Sequence, residues 1–168
     1  MSTTSSPKVV FVTGASAGFG AAVARYFVSR GARVIAAARR EDRLHALEAE
    51  LGRDHVHALA LDVTSHDAVL AAVAGLPAPF AEVDCLVNSA GLALGLEPAQ
   101  RANLPDWEQM IDTNCAGLVA VTRALLPGMV SRRRGHVVNL GSIAGTYPYP
   151  GGNVYGATKA FVHQFSLN

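Results

Sequence analysis

The sequence predicts an α/β fold in which helices cover both faces of one parallel sheet. Short β-branched apolar runs alternate with stretches of helical spacing along the chain, and such alternation with short connections is typical of parallel sheets. Half of the 168 residues are hydrophobic and 16% are charged, which fits a chain that buries a core. No low-complexity linker interrupts the pattern, so we expect residues 1–168 to form a single domain.

Charge and leader sequence argue against several classes of function. The formal net charge of +1 is too small to attract nucleic acid or an anionic membrane electrostatically. Met1–Lys8 is polar and lacks the apolar core of a secretory signal, and no apolar run approaches the length of a membrane span. Cys85 and Cys115 show no ligand spacing. We therefore expect two reduced, buried thiols, no bound metal and a cytoplasmic protein.

A glycine-rich turn joins the first predicted strand and helix. Val9–Thr13 is predicted to be a strand buried on both faces, and Ala21–Arg30 a helix that Gly31 terminates. Glycines in this position permit a tight turn and a close backbone approach to a pyrophosphate, which the amides of the helix N-terminus bind. The spacing Gly-x-x-x-Gly-x-Gly differs from the commonest dinucleotide fingerprint, and an ordinary tight turn is the alternative. The turn consists of Gly14, Ala15, Ser16, Ala17, Gly18, Phe19 and Gly20.

The end of the second predicted strand, Arg33–Ala38, indicates which dinucleotide would bind. Proteins that bind NAD usually place an acidic residue here for the ribose hydroxyls, whereas a 2′-phosphate requires arginine. Arg39 and Arg40 follow this strand, and a planar guanidinium group binds phosphate through two hydrogen bonds. We therefore predict NADP. The alternative is that both arginines pair with Glu41 and Asp42 in solvent.

The alternation continues through the middle of the chain. The predicted elements are helix Arg43–Leu51, strand His55–Leu61, helix Ala68–Leu76 and strand Val83–Val87. Asp62 follows the third strand, where its carboxylate either accepts a hydrogen bond from an adenine amino group or caps the next turn. Asn88-Ser89-Ala90-Gly91 follows the fourth strand, which indicates backbone close to a ligand at the carboxyl edge of the sheet.

A long helix is predicted from Leu104 to about Ser131, after an irregular segment. Asn114 lies in the middle of this helix, where a polar amide is costly unless it is hydrogen bonded. It is therefore either a functional residue or one whose amide binds a neighbouring carbonyl group. Strand His136–Leu140 follows and leads to Ser142.

The segment after the fifth strand carries the strongest chemical signal. Tyr155 and Lys159 are four residues apart, so on a helix they lie one turn apart on the same face. A nearby ammonium group lowers the tyrosine pKa from ~10 toward the range in which general acid/base catalysis works. A short loop would bring the Ser142 hydroxyl beside the phenol, where both would hold a carbonyl or carbinol oxygen. Since the chain has four tyrosines, a chance Tyr-x-x-x-Lys pair is the alternative.

Together these motifs resemble those of the short-chain dehydrogenases/reductases from Val9 to Asn168. The resemblance rests on Thr13–Gly20, Asp62-Val63, Asn88–Gly91, Asn114, Ser142, and Tyr155 with Lys159. Within the family, segments 88–95, 107–114 and 151–159 are similar to NADP-dependent 3-hydroxy acid dehydrogenases, also described as serine or L-allo-threonine dehydrogenases. The resemblance implies a three-layer Rossmann fold. It also implies hydride transfer between NADP and a small 3-hydroxy acid or its carbonyl partner, without a metal.

The resemblance implies a role for each matching residue. Tyr155 would exchange the proton with the substrate oxygen, and Ser142 would orient that oxygen. Lys159 would lower the tyrosine pKa and hold the nicotinamide ribose, and Asn114 would hold a water molecule that links Lys159 to solvent. The cofactor would be bound by Gly14–Phe19 at the pyrophosphate, Arg39 and Arg40 at the 2′-phosphate, Asp62 and Val63 at the adenine, and Asn88 and Ala90 at the adjacent ribose.

The sequence departs from the family pattern at two points. Ser89 stands where the family commonly has a second asparagine, which weakens the local hydrogen-bond argument. The chain also stops at Asn168, whereas relatives continue with further strands and a substrate loop, so we expect a fragment of a longer enzyme with a bare fifth strand. Relatives of this kind are usually tetramers, so a homotetramer is expected at full length. The alternatives are an inactive dinucleotide-binding fragment and a carbonyl reductase for an unrelated alcohol.

Overall fold

In the computed structural model, which describes residues 8–168, five parallel strands form one sheet. They are β1 (Val9–Thr13), β2 (Arg33–Ala38), β3 (Val56–Ala60), β4 (Cys85–Asn88) and β5 (His136–Asn139). The order across the sheet is β3-β2-β1-β4-β5, so the chain moves to one side of β1 and then to the other. The predicted parallel α/β fold is confirmed. The leader's first seven residues, where we expected no secretory signal, lie outside the described range.

Each of these strands is followed by at least one helix. The helices are α1 (Gly18–Ser29), α2 (Glu41–Leu51), α3 (His66–Ala74), α4 (Leu104–Ile111), α5 (Leu118–Ser131) and α6 (Asn153–Leu167). Helix α1 begins three residues before the predicted start, inside the glycine turn, because tertiary packing overrides the weak helix propensity of glycine there. The amides of residues 18–20 in the turn therefore belong to the first turn of α1.

The predicted long helix is interrupted by a π-helical turn. Residues Asp112–Gly117 form this wider turn between α4 and α5, and such turns are frequent at functional sites. The whole helical stretch Leu104–Ser131 has 28 residues and, by length and composition alone, is apolar enough to cross a membrane. Charged residues such as Asp106, Asp112 and Arg123 interrupt this stretch, so it contains no continuous apolar run of that length. One partly buried helix of this kind is weak evidence for a membrane span, since core helices of soluble proteins have the same composition.

The core lies on both faces of the sheet because successive strand residues point to opposite sides. On one face, Phe11 and Leu86 pack in a cluster that includes Val121 of α5. On the other face, Val10 and Val12 pack in a cluster that includes residues of α1 and α2. All five side chains are fully buried. Helices therefore cover both faces, which gives the three layers that the sequence predicts.

The two edges of the sheet differ. At the β3 edge, the carboxylate of Glu48 accepts a hydrogen bond of 3.0 Å from the backbone amide of Ala58. At the β5 edge, His136 is exposed and Val138 is 37% exposed. A side chain of α2 therefore satisfies part of one edge, while the other edge faces solvent.

Asp84 links three parts of the amino edge of the sheet. Its buried carboxylate accepts hydrogen bonds from the backbone amides of Lys8 (2.8 Å) and Val9 (3.2 Å) and pairs with the guanidinium group of Arg134. Burial raises the pKa of Asp84, but the hydrogen bonds from Arg134, Lys8 and Val9 outweigh burial. The pKa of this carboxyl group therefore lies below its usual value.

We predict that Asp84→Asn lowers the free energy of unfolding by about 2–3 kcal/mol at neutral pH, because hydrogen bonds to a charged group contribute about 1.5–3 kcal/mol each. Because the pKa of Asp84 is lower in the folded than in the unfolded protein, its stabilising contribution is fully present above the unfolded pKa of ~3.9. The contribution is lost as the pH falls through the folded pKa. Urea unfolding of both proteins at pH ~7 and at several values below pH ~4 measures this difference. Asp54→Asn, at an exposed position, is the control, and a difference that persists unchanged in acid contradicts the prediction.

Candidate active site

A cavity of about 710 Å³ opens at the carboxyl edge of the sheet. Its position beside β1 and β4 is the point where the strand order reverses, which is where parallel α/β sheets bind ligands. Most of the residues predicted to form a site line this cavity. They are Gly14, Ser16, Ala17, Gly18, Phe19, Gly20, Arg39, Arg40, Asp62, Val63, Ala90, Tyr155 and Lys159.

Ala15, Asn88, Asn114 and Ser142, which were also predicted, are not among the described residues that line the cavity. The side chain of Ala15 is fully buried. The amide nitrogen of Asn88 donates hydrogen bonds of 2.9 Å to the hydroxyl of Thr122 and to the side chain of Asn139. This side chain therefore joins β4 to α5 and β5, and the expected contact of Asn88 with a ribose stays a prediction.

The glycine turn lies against the loop after β4, backbone to backbone. A methyl group on Gly14 would lie 2.9 Å from the backbone nitrogen of Ala90, and Gly14 has a φ of +69° that favours glycine. The hydroxyl of Thr13 accepts hydrogen bonds from the amides of Ser89 (3.0 Å) and Ala90 (2.9 Å). The turn is thus fixed to the neighbouring loop, and its open side faces the cavity together with the N-terminus of α1.

The two arginines after β2 point to the cavity. Arg40 donates two hydrogen bonds, of 3.1 and 2.9 Å, to the hydroxyl of Ser16 in the glycine turn. Glu41, one of the partners considered from sequence, instead lies 3.5 Å from His45. Arg39 is also part of the cavity wall. These guanidinium groups give this end of the cavity a positive charge, which suits an anionic group of a ligand.

Asp62 both caps a turn and lines the cavity. Its carboxylate accepts hydrogen bonds from the amide (3.0 Å) and hydroxyl (2.8 Å) of Thr64. Burial raises the pKa of Asp62, but these hydrogen bonds and the charge of Arg39 outweigh burial, so the pKa lies below its usual value. Of the two alternatives drawn from sequence, the turn cap is the contact that the structure contains.

Tyr155 and Lys159 lie on the same side of α6 and line the cavity together. The amino nitrogen Nζ of Lys159 lies 5.9 Å from the centroid of the Tyr155 ring and donates a hydrogen bond of 2.8 Å to the carbonyl oxygen of Leu140. The lysine side chain is buried. Burial lowers the pKa of Lys159, and the charge of Cys115 opposes this shift. The side-by-side arrangement expected from their spacing is thus present, with a buried cation beside the phenol ring.

Ser142 ends the extended segment after β5 and begins a short 3-10 turn, Ile143–Gly145. Its hydroxyl oxygen accepts a hydrogen bond of 3.2 Å from the amide of Ala144. The preceding residue, Gly141, lines the cavity. Ser142 therefore directly follows a residue of the cavity wall, and the turn orients its hydroxyl.

Asn114 connects the π-helical turn to the cavity wall. Its side-chain oxygen accepts from the amide of Leu92 (2.9 Å), and its nitrogen donates to the carbonyl oxygen of Leu92 (2.9 Å) and to the hydroxyl of Thr158 (3.1 Å). The Thr158 hydroxyl in turn donates to the carbonyl oxygen of Tyr155 (2.8 Å). The side chain of Asn114 therefore binds a neighbouring carbonyl group, the alternative considered from sequence, and joins the loop after β4 to α6.

Sequence reasoning gave no role to Thr158 and did not predict the contacts of Thr13 and Gly91, which it had placed in motifs. A methyl group on Gly91 would lie 3.2 Å from the side-chain oxygen of Asn114 and 3.7 Å from the Lys159 nitrogen, so glycine leaves space for both. The hydrogen bonds and contacts of these three residues join distant segments, and no local pattern indicates such pairing.

The site thus combines a dinucleotide-type turn, a reversed strand order and a tyrosine-lysine pair on one cavity wall. The family model of the short chain dehydrogenases matches residues 8–168. The chain belongs to this family.

Particular members of the family are similar to the chain over nearly all of its length. The NADP-dependent 3-hydroxy acid dehydrogenase YdfG of Salmonella typhi is 60% identical over 160 residues, which cover 95% of this chain and 64% of that protein. The crystal structure of serine dehydrogenase from Escherichia coli aligns with a TM-score of 0.93 and 57% identity, covering 95% of this chain and 73% of that one. The closed form of serine dehydrogenase complexed with NADP+ has the same TM-score and identity, covering 95% of this chain and 64% of that one. The chain thus spans 64% of the length of the curated relative.

We predict that Asn114→Ala lowers the free energy of unfolding by about 2–3 kcal/mol, because three hydrogen bonds are lost and buried backbone groups of Leu92 lose their partners. Hydrogen exchange at the amide of Leu92 should accelerate at the same time. Asn103→Ala is the matched control, since Asn103 is exposed and its side chain caps no amide of α4. Equal losses of stability in the two variants contradict the proposed connection.

Proposed function

We propose that the protein is an NADP-dependent oxidoreductase that acts on the CH–OH group of a small 3-hydroxy acid or on the corresponding carbonyl compound. L-serine, L-allo-threonine and 3-hydroxypropionate are the substrates of this class that we would test. The observation that carries the proposal is the pairing of Tyr155 with buried Lys159 in the wall of a cavity that the glycine turn also lines. The relatives described as an NADP-dependent 3-hydroxy acid dehydrogenase and as a serine dehydrogenase with NADP+ support the same class of substrate and cofactor.

The residues of the cavity fit an NADP molecule. Gly14 and Gly20 lack room for side chains, since a methyl group on Gly20 would lie 2.4 Å from the carbonyl oxygen of Gly14. The turn therefore presents backbone amides, which are suited to bind a pyrophosphate. We assign this pyrophosphate to Gly14–Phe19. The 2′-phosphate would be bound by Arg39 and Arg40, the adenine by Asp62 and Val63, the adjacent ribose by Ala90, and the nicotinamide ribose by Tyr155 and Lys159.

The chain's own residues supply the proton chemistry of the proposed reaction. When bound, NADP accepts or donates the hydride at its nicotinamide ring. The phenol oxygen of Tyr155 takes the proton from a hydroxy acid during oxidation and returns it to the carbonyl oxygen during reduction. Lys159 places its amino group beside this phenol, 5.9 Å from the centroid of the ring. Ser142, which directly follows the cavity-lining residue Gly141, orients the substrate oxygen.

The finer expectations about assembly and location belong to the same proposal. The α4–α5 stretch exposes Leu104, Ile111, Leu126 and Val130, and a homotetramer whose subunits pair along these helices would bury them. Two free cysteines fit a cytoplasmic protein. Cys85 is buried, and burial raises its pKa to about 11, whereas Cys115 is only partly buried.

A second candidate is a module that binds the dinucleotide without catalysis. It is favoured by one observation, which is that the chain spans 64% of the length of the curated relative. Cofactor binding without turnover of any hydroxy acid or carbonyl compound would support this candidate. Reduction of NADP in the presence of L-serine, L-allo-threonine or 3-hydroxypropionate would exclude it.

We predict that Tyr155→Phe lowers kcat by about 10²–10⁴-fold, the contribution typical of a general acid or base, while the Kd for NADP changes by less than about two-fold. The reason is that phenylalanine keeps the ring and its packing but has no proton to exchange. Stopped-flow or steady-state absorbance of NADPH measures turnover, and titration calorimetry measures binding. Tyr26→Phe, on the exposed side of α1, is the control. Full activity of Tyr155→Phe would refute the catalytic role.

We predict that Arg40→Ala weakens NADP binding by about 10- to 100-fold, because a hydrogen-bonded charge on the 2′-phosphate contributes about 1.5–3 kcal/mol. Binding of NAD, which lacks this phosphate, should change by less than about two-fold. Titration of both dinucleotides against the wild type and the variant gives the ratio. Arg43→Ala, on the exposed first turn of α2, removes the same charge nearby and serves as the control. A wild-type preference for NAD would overturn the cofactor assignment.

A further inference from the structure

Two glycines meet where the 3-10 turn Ile143–Gly145 packs on α6. A methyl group on Gly145 would lie 2.6 Å from the carbonyl carbon of Lys159 and 2.7 Å from the backbone nitrogen of Ala160. A methyl group on Gly156 would lie 2.9 Å from the carbonyl oxygen of Ala144. Each element thus presents a glycine to the backbone of the other, and an alanine at either position requires the backbone to move.

Backbone conformation does not account for these two glycines. Positive φ values occur at other glycines, such as Gly14, Gly18 and Gly151, whereas Gly145 and Gly156 have none in that range. Gly156 also lies inside α6, where alanine is the better helix former. What glycine provides at both positions is therefore the short distance between the turn and the helix.

This close approach fixes the segment that carries Ser142. The Ser142 hydroxyl accepts a hydrogen bond of 3.2 Å from the amide of Ala144, the same residue whose carbonyl oxygen faces Gly156. At the other end of the segment, the Lys159 ammonium donates a hydrogen bond of 2.8 Å to Leu140. Residues 140–145 are thus attached to α6 before and after Ser142.

We propose that Gly145 and Gly156 are positioning residues that set the separation between the Ser142 hydroxyl and the Tyr155 phenol. The proposal rests on the proposed function, because it assumes that both groups act on one substrate oxygen. A wider separation leaves both groups intact, but they can then no longer contact the same substrate oxygen. Substitution of either glycine therefore lowers turnover by displacing the Ser142 hydroxyl.

The test is a double-mutant cycle on the purified protein with its NADP and hydroxy acid substrate. Gly145→Ala and Gly156→Ala should each lower kcat by about 10- to 100-fold, since a displacement of about 1 Å has this effect on catalysis, with the Kd for NADP within about two-fold of the wild type. In a Ser142→Ala background, the same substitutions should lower kcat by less than about two-fold. Gly128→Ala is the matched control, because its methyl group would meet only the end of the Arg132 side chain, at 3.0 Å.

Equal losses of kcat in the wild-type and Ser142→Ala backgrounds would overturn the proposal, since they indicate general damage to the fold. Crystal structures of both glycine variants provide a readout that does not depend on turnover. We expect the turn to lie about 1 Å further from α6, and an unmoved turn in both variants would also overturn the proposal. If Tyr155→Phe retains full activity, the proposed function is refuted. The crystal structures of the glycine variants still test whether the two glycines set the position of the turn. If Gly145→Ala does not fold, Gly156→Ala carries the test, because alanine favours the helix there.

Discussion

The hydrogen bond from the buried ammonium group of Lys159 to the carbonyl oxygen of Leu140 is the contact on which the site depends. A buried cation is costly unless it is hydrogen bonded, and this bond ties Leu140, which directly follows β5, to α6. The side chain of Asn139 in β5 also donates a hydrogen bond to the hydroxyl of Ser166 in α6. The Lys159 bond places the nitrogen near the ring of Tyr155, and Gly91 leaves space for this nitrogen and for Asn114. The end of β5, α6 and the π-helical turn thus lie close to one side chain.

The strands and the placement of Tyr155 beside Lys159 could be predicted from sequence because their signals are local. Strand β1 and strand β2 match the predicted bounds to the residue, since β-branched and small apolar runs between turn signals are typical of strands buried on both faces. Tyr155 and Lys159 follow from helical spacing alone. Helix starts were less accurate, because glycine in the first turn of α1 has weak helix propensity and only tertiary packing holds it there.

The remainder of the site depends on contacts between distant segments. The π-helical turn is accompanied by the hydrogen bonds of Asn114 to Leu92 and Thr158, and no pattern along the helix predicts those partners. The contacts of Asn88 were, by contrast, indicated by strand alternation. Asn88 is two residues after Leu86 on β4, so both side chains point to the same face, and Leu86 is in the core cluster beneath α5. The Asn88 side chain therefore points toward α5, where it contacts Thr122.

The contact between Glu48 and the amide of Ala58 makes the two edges of the sheet differ in how readily a further strand can pair with them. A strand that approached β3 would have to displace a carboxylate that already accepts a hydrogen bond from the backbone there. At β5, whose side chains His136 and Val138 are exposed, no side chain among residues 8–168 accepts a hydrogen bond from the outer backbone. Pairing with a strand of another molecule is thus less hindered at β5, on the side nearest α6.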